Sequence, residues 1–424
     1  MSTKNKTMYI TQIKIEKVRH LKDVIIKLSE QENKTLKHLL ITGKNGSGKT
    51  SVLDALAKYL DDVCRTNILD KSQKQLSDIR NKIDYAINHT GTTASQVNEM
   101  VETFNYWEQA VKDNYSGLSV TFNCEEPYLK EEYKLGNYIL AYFKTERSFQ
   151  SDAPKHVEKV VLKDRYAIED EPGKDFIKYL VDKKVSQSLF QTKNEPEKAE
   201  KLNQWFVSFE KLLKNIFEDD TLQLDFDVNT FSFHILEKGR ERFDFNTMSS
   251  GFAAILDIVV GIIMRMEQHT NGQFEFDMPG IVLVDEIETH LHYELQKKVL
   301  PFLCTIFPNI QFIVSTHSAF ILNSIENAVI YDLENKVTVQ NGLSDVPYDG
   351  IIEGYFDVST LSKELQSKFE RYKELVKKKN LTDEDFAEIK RLALYLEEIP
   401  DYLALDVTTE YRRLKLEFEH REDI

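Results

Sequence analysis

The stretch GKNGSGKT, residues 43–50, constrains this chain more than any other. It fits G-x-x-x-x-G-K-[ST] in full, with a short apolar run (HLLIT) before it and helical spacing at Leu53, Leu56 and Leu60 after it. Glycines at 43, 46 and 48 let backbone N–H groups close around a β-phosphate. Lys49 neutralises β- and γ-oxygens, and the Thr50 hydroxyl binds Mg²⁺. The candidate ATP-binding residues are therefore Gly43, Lys44, Asn45, Gly46, Ser47, Gly48, Lys49, Thr50 and Ser51. The alternative, a glycine-rich turn with an accidental lysine, fits poorly with a strand before and a helix after. A chain built on such a loop folds as α/β, with the loop joining a buried strand to a helix.

A second apolar run, GIVLVDEIETHLH, ends in Asp285–Glu286. A carboxylate at the end of a buried strand is costly unless it meets a cation or a hydrogen-bond partner. Asp285 would hold Mg²⁺, directly or through water, and Glu286 would act as general base on the attacking water. Two solvated carboxylates are the bland alternative. IVSTHS places His317 after another apolar strand, where a neutral imidazole can hydrogen-bond a γ-phosphate, although a lone histidine there is more often structural. His290 and His292 lie two apart, but no third ligand with metal-like spacing follows, so the plain reading stands.

MSSGF, residues 248–252, opens the apolar run AAILDIVVGIIM. Ser249 or Ser250 would cap the helix, or the positive helix end would face a phosphate bound by another subunit.

Bulk composition narrows the class. The charge of −15, from 55 basic and 70 acidic residues among 424, argues against a surface coated with nucleic acid and leaves a local patch open. Lysines are scattered with acids between them, as on a solvated face. Cys64, Cys124 and Cys304 lie far apart without a C-x-x-C pair, which reads as a reduced, cytoplasmic protein. The longest apolar stretch, 252–264, contains Asp257 and is too short to span a bilayer, so no membrane partner is expected.

The order of these elements resembles the ATP-binding-cassette ATPases, specifically the branch with Rad50, SMC and RecF proteins, over about 1–60, 117–150 and 220–335. In that family the helix start is a signature with a serine and two glycines. Here Ser249 and Gly251 are kept, Ser250 replaces the first glycine and Phe252 the final polar residue. The resemblance implies a P-loop ATPase head with mixed sheets, and a head-to-tail homodimer or higher oligomer enclosing ATP and Mg²⁺. Ser249, Ser250 and Gly251 would act in trans on the γ-phosphate, with local capping as a second duty. By analogy Arg19 or His20 lies near the base or ribose. A residue within 146–150, after a strand ending near Thr145, would form the nucleotide-sensing loop.

The implied layout is an N-terminal ATPase lobe (1–60), a helical insertion (61–116), ATPase strands with the sensing loop (117–150), a second helical insertion (151–217), a C-terminal lobe (218–335) and a helical tail (336–424). Residues 61–115 carry no sustained heptad, so the long coiled coil of Rad50 and SMC is not expected. The compact form is similar to stand-alone ATPases of prokaryotic anti-phage systems, of the Septu, PARIS and retron-associated types. It also resembles the ATPase part of the overcoming-lysogenization-defect nucleases. Glu353 with Asp383–Asp385 imitates the metal ligands of the latter's Toprim nuclease, but LTDEDFAEIKRL reads as a helix start with Thr382 as N-cap. The expectation is thus an ATPase that senses or scaffolds for a separate effector, plausibly a nuclease. A RecF-like DNA-clamping ATPase and an ATP-locked scaffold with little turnover are the alternatives.

Overall fold

The computed structural model describes residues 7–29, 35–88, 93–152, 154, 156–270, 272–355, 362–398 and 405–421. They fall into two compact units, Met1–Asp345 and Val346–Ile424.

In the first unit, β1 (Ile10–Val18) and β2 (Leu21–Lys27) form an antiparallel pair whose alternating apolar residues bury one face. β3 (His38–Thr42) is buried at all five positions and runs into the phosphate loop and α1 (Lys49–Asp61). Helices α2 (Ile68–Asn88) and α3 (Ala94–Asn114) pack along each other, and Thr93 and Gln96 close a capping box at the start of α3. β4 (Leu118–Phe122) joins β1 on the side opposite β2. It is followed by α4 (Glu126–Lys134) and β5 (Ile139–Phe143).

Two features depart from the sequence reading. Helix α4 interrupts a stretch expected to hold strands only. Pro127 in its first turn and the burial of Leu129 and Tyr133 fix it. Residues 156–171 are not helical, and regular turns begin only at Pro172–Asp175. This segment lacks a helical apolar period, and several of its backbone bonds go outside any helix: Val160 N donates to the Asp182 carboxylate (3.1 Å), Ala167 N to that of Asp170 (3.1 Å), and Ile168 O accepts from Tyr142 N (2.9 Å).

Helices α5 (Phe176–Thr192) and α6 (Pro196–Phe217) then pack together. The antiparallel β6 (Gln223–Asp227), β7 (Ser232–Leu236) and β8 (Phe243–Asp244) follow, with the first two a hairpin as their alternation suggests. Helix α7 (Ser250–Met266) is buried almost throughout, against β5, α6 and a later helix. The remaining elements are β9 (Gly280–Val284), α8 (Tyr293–Ile306), β10 (Ile310–Ser315), a short α9 (Ala319–Leu322), β11 (Ala328–Asp332) and β12 (Val337–Val339).

The main sheet runs β12-β11-β3-β10-β9-β5, parallel except for β12. Its central strands are uninterrupted apolar runs because helices or a second sheet cover both faces. Helix α1 lies between the two sheets: Val52, Leu53, Leu56 and Leu60 share one core with Ile13 and Ile15 of β1 and with Leu39, Leu283 and Ile313 of the main sheet. A parallel sheet delivers its strand C-termini to one edge, where ligands bind in open α/β folds. The loops after β3, β5, β9 and β10 all leave at that edge. They carry Gly43, Thr145, Asp285 and His317.

In the second unit a short α10 (Tyr348–Gly350) precedes α11 (Lys363–Lys377), α12 (Asp383–Glu397) and α13 (Leu405–Glu419). Phe369, Tyr372, Leu392, Leu396, Tyr411 and Leu414 are among its core residues. Thr382 and Asp385 form a full capping box at α12, and Lys378 pairs with Asp385 at 2.6 Å. Asp385 is thereby committed to its own helix. The side chain of Glu353 lies outside the described residues. No described helix is long and apolar enough to cross a membrane.

Candidate functional site

The phosphate loop turns on three glycines at positive φ: Gly43 (132°), Gly46 (85°) and Gly48 (101°). A Cβ on Gly43 would come within 2.9 Å of Ser47 Oγ, so the loop closes only around a bare backbone. Gly48 also occupies the N-cap position of α1, leaving the first-turn N–H groups without a side-chain acceptor. Lys49 is 5% exposed and folds back on the loop, its Nζ donating to the carbonyls of Gly43 (3.0 Å) and Lys44 (3.3 Å). Burial pushes its pKa below the ordinary lysine value, against the pull of Glu286, Glu288 and Asp285. Asn45 and Thr50 are exposed, Ser51 is buried, and Lys44 reaches across to Glu334 beyond β11 (2.9 Å).

Asp285 stands opposite the start of α1. It is 1% exposed, yet three hydroxyls solvate its carboxylate: Thr50 (2.8 Å) and Thr145 (2.9 Å) on Oδ2, and Ser315 (2.5 Å) on Oδ1. A buried carboxylate so bonded is satisfied as an anion. Ser315 also accepts from Glu286 N (2.7 Å), tying β10 to the turn after β9. Glu286 has φ 46°, a left-handed conformation that is strained for a residue with a Cβ. Its carbonyl accepts from Arg147 Nη2 (2.7 Å) and Thr289 N (2.9 Å). Glu288 accepts the backbone N–H of His317 (2.5 Å).

His317 is half-buried, and its pKa is held below the ordinary histidine value, first by burial and then by the charge of Lys49, so the ring is neutral near pH 7. Its Nε2, with Glu288 Oε2 and Ser47 Oγ, is buried without a hydrogen-bond partner among the described residues. Buried polar atoms without a partner are few in native proteins and each calls for a physical account. A polyphosphate with a divalent cation suits the set: a glycine cradle, a lysine, a hydroxyl–carboxylate pair for the metal, and unfilled polar atoms around them.

The other residues named from sequence are placed as follows. His20 lies in the β1–β2 turn and its Nε2 contacts Ser47 O at 3.1 Å, while Arg19 beside it is exposed with φ 51°. Ser249 and Ser250 are exposed, and Ser249 sits at the N-cap of α7 without a side-chain cap bond. The capping duty assigned to these serines is therefore corrected: both hydroxyls stand on the exposed face and neither satisfies the helix start. Gly251 is buried, and a Cβ there would come 3.0 Å from His290 O. Helix α7 thus starts close against the backbone of the segment that follows Glu286. Phe252, the residue that departs from the family pattern, stacks on Phe217 of α6 at 4.3 Å.

β5 ends at Phe143, two residues before Thr145; in the stretch that follows, Thr145 and Arg147 bond to Asp285, and Gln150 is exposed and lines the same cavity as Thr50 and Asp285. Thr145, Arg147, Ser315 and Glu288 were not singled out from sequence. Only TERS following an apolar strand offered a signal.

Comparison with known proteins bears on the family of the chain. Residues 103–323, more than half of the chain, match an "AAA domain" family model whose description mentions an AbiEii toxin of a Type IV TA system. Residues 8–90 match a model described as "AAA ATPase domain". The chain is 24% identical over 450 aligned residues to the "Retron Ec83 probable ATPase" of Escherichia coli, covering 89% of this chain and 81% of that protein. It is 23% identical to "Septu protein PtuA" of Bacillus mycoides over 91% of this chain and 50% of that protein. It is 24% identical to the "Retron Vc95 probable ATPase" of Vibrio cholerae over 71% of this chain and 69% of that protein. The chain spans about half the length of that Septu relative. With a family match over more than half its length and a phosphate loop facing a hydroxyl-bound aspartate, this chain belongs to the AAA-domain ATPase family.

Proposed function

We propose that this chain is an ATP-binding and ATP-hydrolysing ATPase that dimerises head-to-tail around ATP and serves as the sensor or scaffold of an anti-phage defence system, acting on a separate effector of nuclease type. The observation that carries the reading is the convergence on one sheet edge of Lys49, the Thr50–Asp285 bond, Glu286, and the unpartnered Ser47 Oγ and His317 Nε2. The retron and Septu names of its relatives support the defence setting.

In this reading residues 1–60, 117–150 and 218–335 form the ATPase, and 61–116, 151–217 and the tail from 336 are what it presents to partners in the cytoplasm. The loop N–H groups of 43–51 and Lys49 hold the phosphates, Lys49 exchanging its two carbonyl acceptors for phosphate oxygens. Mg²⁺ would sit on Thr50 and Asp285 and neutralise phosphate charge. Glu286 orients water and takes its proton as the water oxygen bonds to the γ-phosphorus and the β–γ bridge breaks. His317, neutral near pH 7, donates to the γ-phosphate. Arg19 and His20 border the base or ribose. Ser249, Ser250 and Gly251 complete the partner's site; in support, Ser249 makes no side-chain cap bond at the start of α7 and both serines are exposed.

The test is the mass in solution of Glu286→Gln with and without ATP and Mg²⁺. An ATP-driven step from monomer to dimer, lost on adding Ser249→Ala, is the expected result. A mass indifferent to ATP sinks ATP-driven assembly and, if the particle is large, favours the ATP-locked scaffold. Salt-sensitive, ATP-dependent binding of duplex DNA would favour a DNA clamp.

A further inference from the structure

A cavity of ≈ 710 Å³ is lined by Thr50, Arg147 and Asp285 and by Asp257 and Arg265 of helix α7. Most charges lining it are already paired. Lys144 meets Glu169 (3.1 Å) and Lys174 meets Glu171. Arg265 is spent on the carbonyls of Leu140 (3.0 Å), Gly261 (2.9 Å), Ile168 (3.4 Å) and Asp170. Arg147 and Asp257 are not fully used. Arg147, 4% exposed, keeps a buried Nε–H with no partner among the described residues. The Asp257 carboxylate, on α7, has neither a hydrogen bond nor an ion pair among them.

Arg147 is otherwise tightly committed. Its Nη1 donates to Lys144 O (2.9 Å) and to Asp285 O, and its Nη2 to Glu286 O (2.7 Å). One guanidinium fork therefore grips both carbonyls of the Asp285–Glu286 pair, while Ser315 grips the Glu286 N–H from the other side. What is held this way is the left-handed turn at Glu286, which ordinary backbone preferences would relax. Asp257 sits two turns into the helix that opens with Ser249-Ser250-Gly251. The buried Arg147 Nε–H and the half-buried Asp257 carboxylate line one cavity, and bringing them together would add a charge-assisted hydrogen bond.

The geometry points to Arg147 as a positioning residue that carries the state of helix α7 to Glu286: its fork sets the Asp285–Glu286 turn, and its spare Nε–H is the place where Asp257 takes hold when α7 is drawn toward a partner's phosphate. This rests on the reading that residues 249–251 engage ATP in trans. Burial lifts the Asp257 carboxyl to about 6, and Arg147 is the first charge pulling it back down, as expected of carboxylate and guanidinium facing each other at a distance. The consequence is that the attacking-water base is aligned only after the second subunit has docked.

The test is a cycle of Arg147→Lys, Asp257→Asn and both together, on the full chain. Each protein is read three ways: ATP affinity, kcat, and ATP-dependent amide-exchange protection of residues 284–289. Asp257→Asn keeps nearly all its volume, so it serves as the folding-safe arm. Expected are ATP affinities within about twofold of the parent, a kcat lower by about tenfold or more in each single variant, and a double variant no slower than the slower single one. Loss of ATP-dependent protection at 284–289 in Asp257→Asn, which is remote in sequence from that segment, is the readout a merely structural Arg147 would not produce. Multiplicative losses of kcat, or full protection at 284–289 in Asp257→Asn, overturn the coupling. A parent chain that binds ATP without turnover overturns the hydrolytic reading alone. The exchange arm then still decides: lost protection upholds the coupling and unchanged protection ends it.

Discussion

The starts of α1 and α7 make an instructive pair. Neither has a side-chain cap, and both expose the partial positive charge of a helix N-terminus. At α1 the loop has already closed on itself: glycines at positive φ wrap the turn, and Lys49 is folded onto two of its carbonyls. At α7 Ser249 has ordinary extended backbone, its hydroxyl and that of Ser250 stand on the exposed face, and Gly251 is pressed against His290 O. The first start needs only an exchange of acceptors to hold a phosphate. The second has exposed serines with no cap bond among the described residues, which is why they are assigned to a partner's phosphate.

The comparison breaks most readily at Lys49. Lys49→Ala is expected to weaken ATP binding by about 100-fold or more, since it removes the charge-assisted contacts to phosphate. Equilibrium dialysis with ATP checks this, and retained affinity would mean α1 does not begin at a phosphate cradle. Gly251→Ala should cost about 2 kcal/mol, because the new Cβ meets the backbone of His290 at 3.0 Å and helix and loop must part. A lowered Tm together with loss of the ATP-driven mass change is the expected outcome.

Asp257 sharpens the picture of α7 further in. Its folded carboxyl titrates near 6, raised by burial, and Arg147, Arg265, Glu171 and Lys174 are the charges that face it. The folded state holds this proton where the unfolded chain has released it, so the group's contribution to stability falls as pH rises from about 4 to 6. Asp257→Asn is therefore expected to be more stable than the parent near pH 8, by about 2 kcal/mol, with the gap closing toward about pH 4. Thermal melts across that range test it, and a gap independent of pH would contradict the assignment.

A third helix start provides the control. Thr382→Ala removes a working cap at α12 and should cost the second unit about 1 kcal/mol. Ser249→Ala should change Tm by less than about 0.5 kcal/mol equivalent, because no cap bond is lost, while ATP-driven assembly disappears. If Ser249→Ala destabilises the isolated chain as Thr382→Ala does, the two helix starts are alike and the trans role fails.

Much of the site's frame was legible because its chemistry is local. Gly43, Gly46 and Gly48 announce themselves, since few other residues accept such backbone angles, and β3, β9 and β10 read as buried strands because a covered parallel sheet admits uninterrupted apolar runs. The capping box at Thr382 was legible for the same reason: its partners are three residues apart. Ser249 misled the capping reading because residue type predicts a cap, whereas hydroxyl direction depends on what lies around it. Residues 156–171 misled the helical reading because some of their backbone groups bond to distant partners, Val160 to Asp182 and Ile168 to Tyr142.

What the sequence determined by itself is the order of the motifs and the residue types each needs, because phosphate loops, helix starts and buried strands draw on neighbours within a few positions. Only the tertiary structure decided which groups complete the site. Thr145 and Arg147 meet Asp285 across some 140 positions, and Ser315 meets it from a separate strand 30 positions away. No local period encodes such contacts: they arise because a parallel sheet brings the C-terminal ends of β3, β5, β9 and β10 to one edge, and a buried carboxylate there must find its hydrogen-bond donors wherever the fold supplies them.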